Sequence, residues 1–129
     1  MSTPRRRAGS DSPFERRYGF SRAVRVGERV VVSGSAPIWP DGSCDPDPRA
    51  QARRCCEIIV AALAEVGAGA ADVVRTRMFV TDAAHADAVG EVHREFFGPA
   101  AAPAATMVVV AGLLDPRWVV EIEAEAQLD

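Results

Sequence analysis

The spacing of apolar residues along the chain switches between a period of two and a period of about 3.6, which predict strands and helices respectively. Residues 22–26 and 29–33 are short β-branched runs separated by Gly27-Glu28, and this spacing predicts a hairpin with a two-residue turn. Asp47-Pro48 predicts a helix start, because an aspartate oxygen can cap free amides and proline fits the first turn. After it, apolar residues recur at helical spacing until Gly67 and Gly69 end the run: Cys55, Ile59, Leu63 and Val66.

The second half of the chain predicts a strand, a helix and two more strands. Residues 73–81 alternate as a strand does, and Asp82 caps a second helix with an apolar stripe that ends at Gly98-Pro99. Residues 106–113 and 118–126 predict the last two strands. The resulting order, ββαβαββ, predicts an α+β single-domain sandwich: a mainly antiparallel sheet with two helices on one face.

The first 17 residues have a different character from the rest. They are rich in Arg, Ser, Pro and Gly without periodicity, and they include the basic run Arg5-Arg6-Arg7. Such a composition predicts a flexible or surface-draped arm, so we expect residues 1–17 to form an arm and residues 18–129 to form the domain.

The last two predicted strands suggest that the chain self-associates. Along residues 119–126 the glutamates occupy one face and apolar residues the other, whereas residues 106–110 are apolar on both faces. The two predicted helices can bury only one face of this sheet, so the other apolar face must be buried by something else. This pattern predicts that another subunit buries the second face.

Composition narrows the possible chemistry. The chain has 129 residues, 48% of them hydrophobic and 26% charged, as is typical of one soluble globular domain. All 15 basic residues are arginine, 18 residues are acidic, and the net charge of −3 does not favour nucleic-acid binding. Without lysine, Schiff-base catalysis by a lysine amine and a Walker-type phosphate site are both excluded.

The metal-ligating and nucleophilic residues form no recognisable motif. Cys44, Cys55 and Cys56 lack metal-site spacing, and we expect them to be buried or half-buried thiols of a cytoplasmic protein. His85 and His93 lie eight residues apart on one predicted helix, so they are not placed to chelate one ion together. No apolar stretch is long enough to cross a membrane. We therefore expect no metal, no cofactor and no membrane span.

Three carboxylates offer the clearest candidate chemistry. Glu121, Glu123 and Glu125 share one strand face, where mutual repulsion and burial would raise the pKa of at least one of them. Such a group could transfer a proton or orient a water molecule. The alternative is that all three simply solvate that face.

Several segments between Phe20 and Gln127 form a recognisable series. They are Val31-Val32-Ser33-Gly34, residues 73–82, residues 91–98 ending Phe96-Phe97-Gly98, Pro103-Ala104, and Leu113-Leu114 followed by residues 120–124. In their order and spacing these segments resemble the Rid family, also called YjgF, which includes reactive intermediate deaminases and liver perchloric-acid-soluble endoribonucleases.

The resemblance implies a chorismate-mutase-like fold and a homotrimer with sheets inward, helices outward and three clefts between subunits. The deaminases of this family hydrolyse reactive enamines and imines such as 2-aminoacrylate to a 2-keto acid and ammonia, without a metal or cofactor. By resemblance, Glu121 would position the water, and Ser33 and the Gly34 amide would line the cleft. Phe20 stands where many members have tyrosine. Thr106 and Met107 would also contact the substrate.

One position departs from the deaminase pattern. Where these enzymes carry an arginine that clamps the substrate carboxylate, this chain has Ala105. A guanidinium binds a carboxylate through two parallel charged hydrogen bonds, and a methyl group supplies neither. The ordinary 2-aminoacrylate reaction is therefore not expected. Four other cations could replace the missing one: Arg22, Arg75, Arg77 and Arg117.

Three hypotheses follow. The first is an enzyme of altered specificity that hydrolyses, deaminates or tautomerises an imine, an enamine or a related unstable metabolite in an intersubunit cleft, with Glu121 as its acid, base or water-orienting group. The second is a non-catalytic trimer that binds a small molecule or a protein. The third, an endoribonuclease, is disfavoured by the acidic charge and by the lack of a histidine pair or lysine suited to phosphodiester chemistry.

Overall fold

One six-stranded sheet and three helices form the chain, which a computed structural model describes over residues 4–10 and 12–129. The helices are α1 (Pro13–Tyr18), α2 (Pro48–Glu65) and α3 (Ala86–Phe97). The strands are β1 (Arg5–Ala8), β2 (Ala23–Val26), β3 (Arg29–Ser35), β4 (Val73–Val80), β5 (Ala104–Val109) and β6 (Val120–Gln127).

The strand order in the sheet is β1-β2-β3-β6-β4-β5. Every neighbouring pair is antiparallel except β4 and β5, which are parallel and are joined through α3. The predicted α+β class and the mainly antiparallel sheet are therefore confirmed. Strand β6 lies between β3 and β4, so the glutamates that alternate along β6 project from the middle of the sheet.

The core lies between the sheet and the helices α2 and α3. The apolar positions of β6 are buried on this side, as the alternation predicted, and they pack with buried residues of both helices. The buried β6 residues are Val120, Ile122, Ala124 and Ala126. The glutamates of β6 consequently face away from the helices.

Within the arm predicted as flexible or surface-draped over residues 1–17, part of the described chain forms regular secondary structure. Strand β1 pairs along its whole length with β2, and α1 begins at Pro13 with Ser12 as its N-cap. The Arg6 Nη2 donates to Glu65 O (3.3 Å) at the C-terminal end of α2, where cations are favoured by the exposed carbonyls. These contacts join residues far apart in sequence, and no local apolar period signals them.

The last two strands differ in extent from the prediction. Strand β5 begins two residues earlier than predicted and ends at Val109, and β6 begins at Val120. The residues between them form a connection in which Gly112 and Pro116 interrupt strand pairing. This connection brings Leu114 and Trp118 to the end of the sheet where Glu121 lies.

The described residues contain neither a helix suited to crossing a membrane nor a cluster of metal-ligating side chains. None of the described helices combines the length and the apolar character that a membrane crossing requires. No group of three or more His, Cys, Asp or Glu side chains in residues 4–10 and 12–129 is arranged to hold a metal ion.

A buried hydrogen bond between β4 and α3 gives a first test of the packing. Thr76 is fully buried, and its Oγ1 lies 2.7 Å from His93 Nε2, whose pKa is lowered by burial. We expect Thr76→Val to lower the free energy of unfolding by about 1–3 kcal/mol, because the half-buried imidazole loses its partner. Urea denaturation at pH 7 measures the change. The partly exposed Thr81 supplies the control Thr81→Val, and an equal effect of both variants would contradict this role.

Candidate active site

The three glutamates of β6 have different surroundings. Glu125 pairs with Arg29 at 2.8 Å and with Arg77 at 3.5 Å, and Glu123 lies 3.7 Å from the same Arg77. Among the described residues, Glu121 forms no salt bridge. The shared strand face thus contains two charge-balanced carboxylates and one that has no arginine in contact.

Glu121 lies in a cleft of about 100 Å³ at the end of the sheet. Burial raises the pKa of its carboxyl group, and the nearby positive charge of Arg22 only partly opposes this effect. A half-buried carboxyl group with a raised pKa can exchange a proton closer to neutral pH than an exposed glutamate can. Half-burial and a raised pKa are two properties that suit a carboxyl group to proton transfer, and Glu121 has both.

The backbone of β3 makes room for this carboxyl group. The β3–β6 register shifts between Val32 and Ser35, so the strand bulges beside Glu121. A Cβ atom built on Gly34 would overlap Glu121 Oε2, which means that only glycine fits here without displacing the carboxylate. The predicted proximity of Gly34 and Glu121 is present within one chain.

A buried glutamine fixes the start of β6. Gln51 of α2 is fully buried, its Nε2 donates to Arg117 O (2.9 Å), and its Oε1 accepts from Val119 N (2.8 Å). These two bonds hold the chain on either side of Trp118, three residues before Glu121. Sequence reasoning missed Gln51, because nothing in the helical pattern distinguishes a buried glutamine from an exposed one.

Aromatic side chains form one wall of the cleft. Phe14 of α1 stacks on Tyr18 with ring centroids 5.9 Å apart and meets Trp118 edge-on at 6.3 Å. Phe20, predicted from the resemblance, lines the same cleft. Helix α1 was not predicted, so Phe14 and Tyr18 were missed. Trp118, three residues before Glu121, could have been found from its position.

Arg22 is the one predicted replacement cation that lies in this cleft. It is 6% exposed, its Nη2 donates to Gly34 O (2.8 Å), and its guanidinium carbon lies 5.6 Å from the centroid of the Phe20 ring. Burial lowers the pKa of this arginine, while the carboxylates of Glu15 and Glu121 raise it. Arg22 and Glu121 are therefore opposite charges in one partly desolvated site.

The other three candidate cations are engaged elsewhere. Arg75 donates to Thr106 Oγ1 (2.7 Å), Arg77 pairs with the glutamates further along β6, and Arg117 pairs with Asp115 at 2.8 Å. None of these three lines the Glu121 cleft.

Ser33 and the β5 residues lie outside the cleft of a single chain. The Ser33 hydroxyl donates to Ser21 O (2.7 Å), which fixes the backbone before β2. Ala105, Thr106 and Met107 lie on β5, which is separated from β6 by β4. The structure thus brings together Phe20, Gly34 and Glu121, and it places the residues around position 105 on a different part of the same chain.

The cysteines play no part in the cleft. Cys55 and Cys56 are buried in the core and Cys44 is half-buried, which confirms the expected burial. Burial raises the pKa of the Cys56 thiol to about 12, and that of Cys55 is raised as well. Both buried thiols are protonated and unreactive at neutral pH.

Comparison with known proteins decides the family. The family model described as Endoribonuclease L-PSP matches residues 11–128. The chain belongs to the YjgF/Rid family. A member of the YjgF/YER057c/UK114 family from Mycobacterium tuberculosis superposes with a TM-score of 0.88 at 43% identity, covering 97% of this chain and 100% of that one.

Two further YjgF/Rid proteins carry functional descriptions. The 2-iminobutanoate/2-iminopropanoate deaminase of Salmonella typhimurium is 35% identical over 111 residues, covering 83% of this chain and 85% of the enzyme. Escherichia coli TdcF, whose crystal structure contains bound serine, superposes with a TM-score of 0.81 at 28% identity, covering 100% of this chain and 99% of that one. The superpositions on the Mycobacterium tuberculosis protein and on TdcF confirm the chorismate-mutase-like fold that the resemblance implied.

Proposed function

We propose that this YjgF/Rid protein hydrolyses an imine, an enamine or a related unstable metabolite in a cleft between the subunits of a homotrimer, with a specificity different from that of 2-aminoacrylate deaminases. The observation that carries this proposal is the position of Glu121. It is the β6 glutamate without an arginine in contact within the described residues, it lies against Gly34 in an aromatic cleft, and burial raises its pKa.

The proposed reaction needs one group that both takes and returns a proton. An enamine first tautomerises to the imine. Glu121 then accepts a proton from water as the water oxygen bonds to the carbon of the protonated imine. The resulting carbinolamine receives that proton on nitrogen. The carbon–nitrogen bond then breaks, ammonia leaves, and the hydroxyl group becomes the carbonyl group as its proton goes to the solvent, which had supplied the proton of the protonated imine. The sum is imine plus water giving a ketone or keto acid plus ammonia.

Exposed apolar side chains support the trimer. Val31 and Val108 lie on the glutamate face of the sheet and are 47% and 42% exposed in the single chain. Apolar residues on an open sheet face favour burial by another subunit. A neighbouring subunit packed on this face could place its own β5 beside the Glu121 cleft of the first subunit. Residues 105–107 would then belong to a site shared by two subunits.

Ala105 supports altered specificity. If the β5 segment of a partner completes the cleft, this end of the site offers a methyl group in place of a guanidinium. The deaminase from Salmonella typhimurium is named for small imino acids, and TdcF binds serine, an amino acid. By analogy we propose a ligand of related size, held at this end by apolar contact.

The family model's description suggests RNA cleavage as another activity. That reaction needs groups that move protons on either side of a phosphodiester and a surface that attracts phosphates. The net charge is −3, and His93 is bonded to Thr76 on the helix side of the sheet, away from the Glu121 cleft. These features favour the imine reaction over RNA cleavage.

A panel of freshly generated imines tests the proposal. Oxidases acting on small, branched and aromatic amino acids and on simple amines would supply the imines, and ammonia release above the buffer rate would be measured. We expect acceleration of at least one imine and a weak response to 2-aminoacrylate.

Light scattering should give three times the chain mass of 13.7 kDa. A folded trimer that holds a metabolite but accelerates no imine would favour the binding-module hypothesis. A monomer would contradict the intersubunit cleft.

A further inference from the structure

We infer that Arg22 binds the anionic group of the ligand in the Glu121 cleft, and that the ligand is a small carboxylate whose apolar part contacts the aromatic wall. This inference rests on the proposed location of the site, although it does not require turnover. It assigns to the residue directly before β2 a role that the family pattern gives to the residue at position 105 on β5.

The hydrogen bonding of Arg22 is incomplete. A guanidinium has five N–H donors. Within residues 4–10 and 12–129, the one hydrogen bond of the Arg22 side chain goes from Nη2 to Gly34 O (2.8 Å), and Nε is buried without any partner. A buried charged group with unmade hydrogen bonds is costly, and an anionic ligand that accepts from the remaining Nη donors of this guanidinium would be bound strongly.

The carboxylates near Arg22 do not neutralise it by contact. Glu15 and Glu121 are close enough to raise the pKa of Arg22, yet neither forms a salt bridge with it. The single hydrogen bond to a carbonyl also holds the guanidinium beside the Phe20 ring, where it lines the cleft. The Arg22 guanidinium is therefore held in one position, next to the Glu121 carboxyl group that is proposed to take a proton from water.

The aromatic wall indicates the rest of the ligand. Phe14, Tyr18, Phe20 and Trp118 surround the cleft, and Leu114 beside them is 76% exposed. An apolar or aromatic body would bury these side chains while its carboxylate reached Arg22. If the site is catalytic, the matching substrate class is a 2-imino acid whose side chain is aromatic or a larger apolar group than the methyl group of the imine formed from 2-aminoacrylate.

Benzoate and benzamide provide a charge-specific probe pair, since they have nearly the same shape and differ in charge. Calorimetric titration of the full chain at pH 7 should show benzoate binding on the order of 10- to 100-fold more tightly than benzamide. We expect Arg22→Gln to reduce this ratio to about one and Arg22→Lys to give an intermediate ratio, because lysine keeps the charge without the planar fork. The exposed Arg117→Gln is the matched control and should keep the wild-type ratio.

The outcomes separate this inference from the proposed function. An Arg22-dependent preference for benzoate in a protein without imine turnover would support the inference while the proposed function fails. Imine turnover with an unchanged benzoate preference in Arg22→Gln would overturn the inference and leave the function standing. If Arg22→Gln does not fold, the wild-type ratio decides, and equal binding of the two probes overturns the inference.

Discussion

Glu121→Gln is expected to reduce imine hydrolysis by about 10²–10⁴-fold while leaving the fold intact. Glutamine keeps the size of the side chain beside Gly34, but it cannot accept a proton from water or return one to nitrogen. The measurement is the rate of ammonia release from the best imine of the panel, with the buffer rate subtracted. The loss should fall on kcat, because the proton transfers belong to the chemical step.

The matched control for this variant is Glu123→Gln. Glu123 lies two residues further along the same face of β6 and contacts Arg77 at 3.7 Å. A carboxylate that only balances charge should be replaceable, so this variant should keep most of the activity. Equal losses in both variants would mean that the acidic face acts as a whole and that Glu121 has no special role.

Although Glu121→Gln should reduce activity, it should make the fold more stable at neutral pH. The folded-state pKa of Glu121 is raised above its ordinary value of 4.5, so between these two pKa values the folded state binds more protons than the unfolded state. Stability contributed by this group therefore falls as pH rises through that window. Glu121→Gln should melt at a higher temperature than the wild type at pH 7, and the difference should shrink below pH 4.5. A lower melting temperature at pH 7 would contradict the burial of a charged carboxylate.

Ala105→Arg is expected to create or raise turnover of 2-aminoacrylate. A charge-assisted carboxylate clamp at a desolvated site contributes on the order of 2–5 kcal/mol, which corresponds to tens to thousands of fold in affinity. The gain should appear mainly in kcat/KM at low substrate concentration. Freshly generated 2-aminoacrylate and 2-iminobutyrate are the substrates, and release of the 2-keto acid is the readout.

Ala104→Arg is the control for position. Ala104 and Ala105 are adjacent exposed residues of β5 whose side chains point to opposite faces of the sheet. The register places Ala104 on the glutamate face and Ala105 on the opposite face, so an arginine at 104 adds the same charge in a different direction. Light scattering must show that Ala104→Arg keeps the wild-type assembly, because the glutamate face is the proposed subunit interface. Efficient 2-aminoacrylate turnover by the wild type, or equal gains from both variants, would contradict the account of Ala105.

The sequence predicted the elements whose burial follows a local period. The alternation along β6 placed Glu121 on the correct face, and the helical spacing before Gly67 located α2. Strand β1 escaped prediction because its Arg5-Arg6-Arg7 run has no apolar alternation. It is instead held by pairing with β2 and by the end of α2, which are long-range contacts.

The candidate site was predictable only in part for the same reason. The resemblance indicated Phe20, Gly34 and Glu121, and the structure brings these three into one cleft. Arg22 was one of four possible cations, and only the fold shows which of the four lies in the cleft. The aromatic wall depends on α1, whose position no periodicity could indicate.

Ammonia release from the imine panel, measured side by side for the wild type and Glu121→Gln, shows whether Glu121 catalyses imine hydrolysis. We expect the wild type to accelerate at least one imine well above the buffer rate, and the variant, folded and of the same assembly size, not to do so. A wild-type rate equal to buffer for every imine, or an undiminished rate in the variant, would show that Glu121 does not catalyse this reaction.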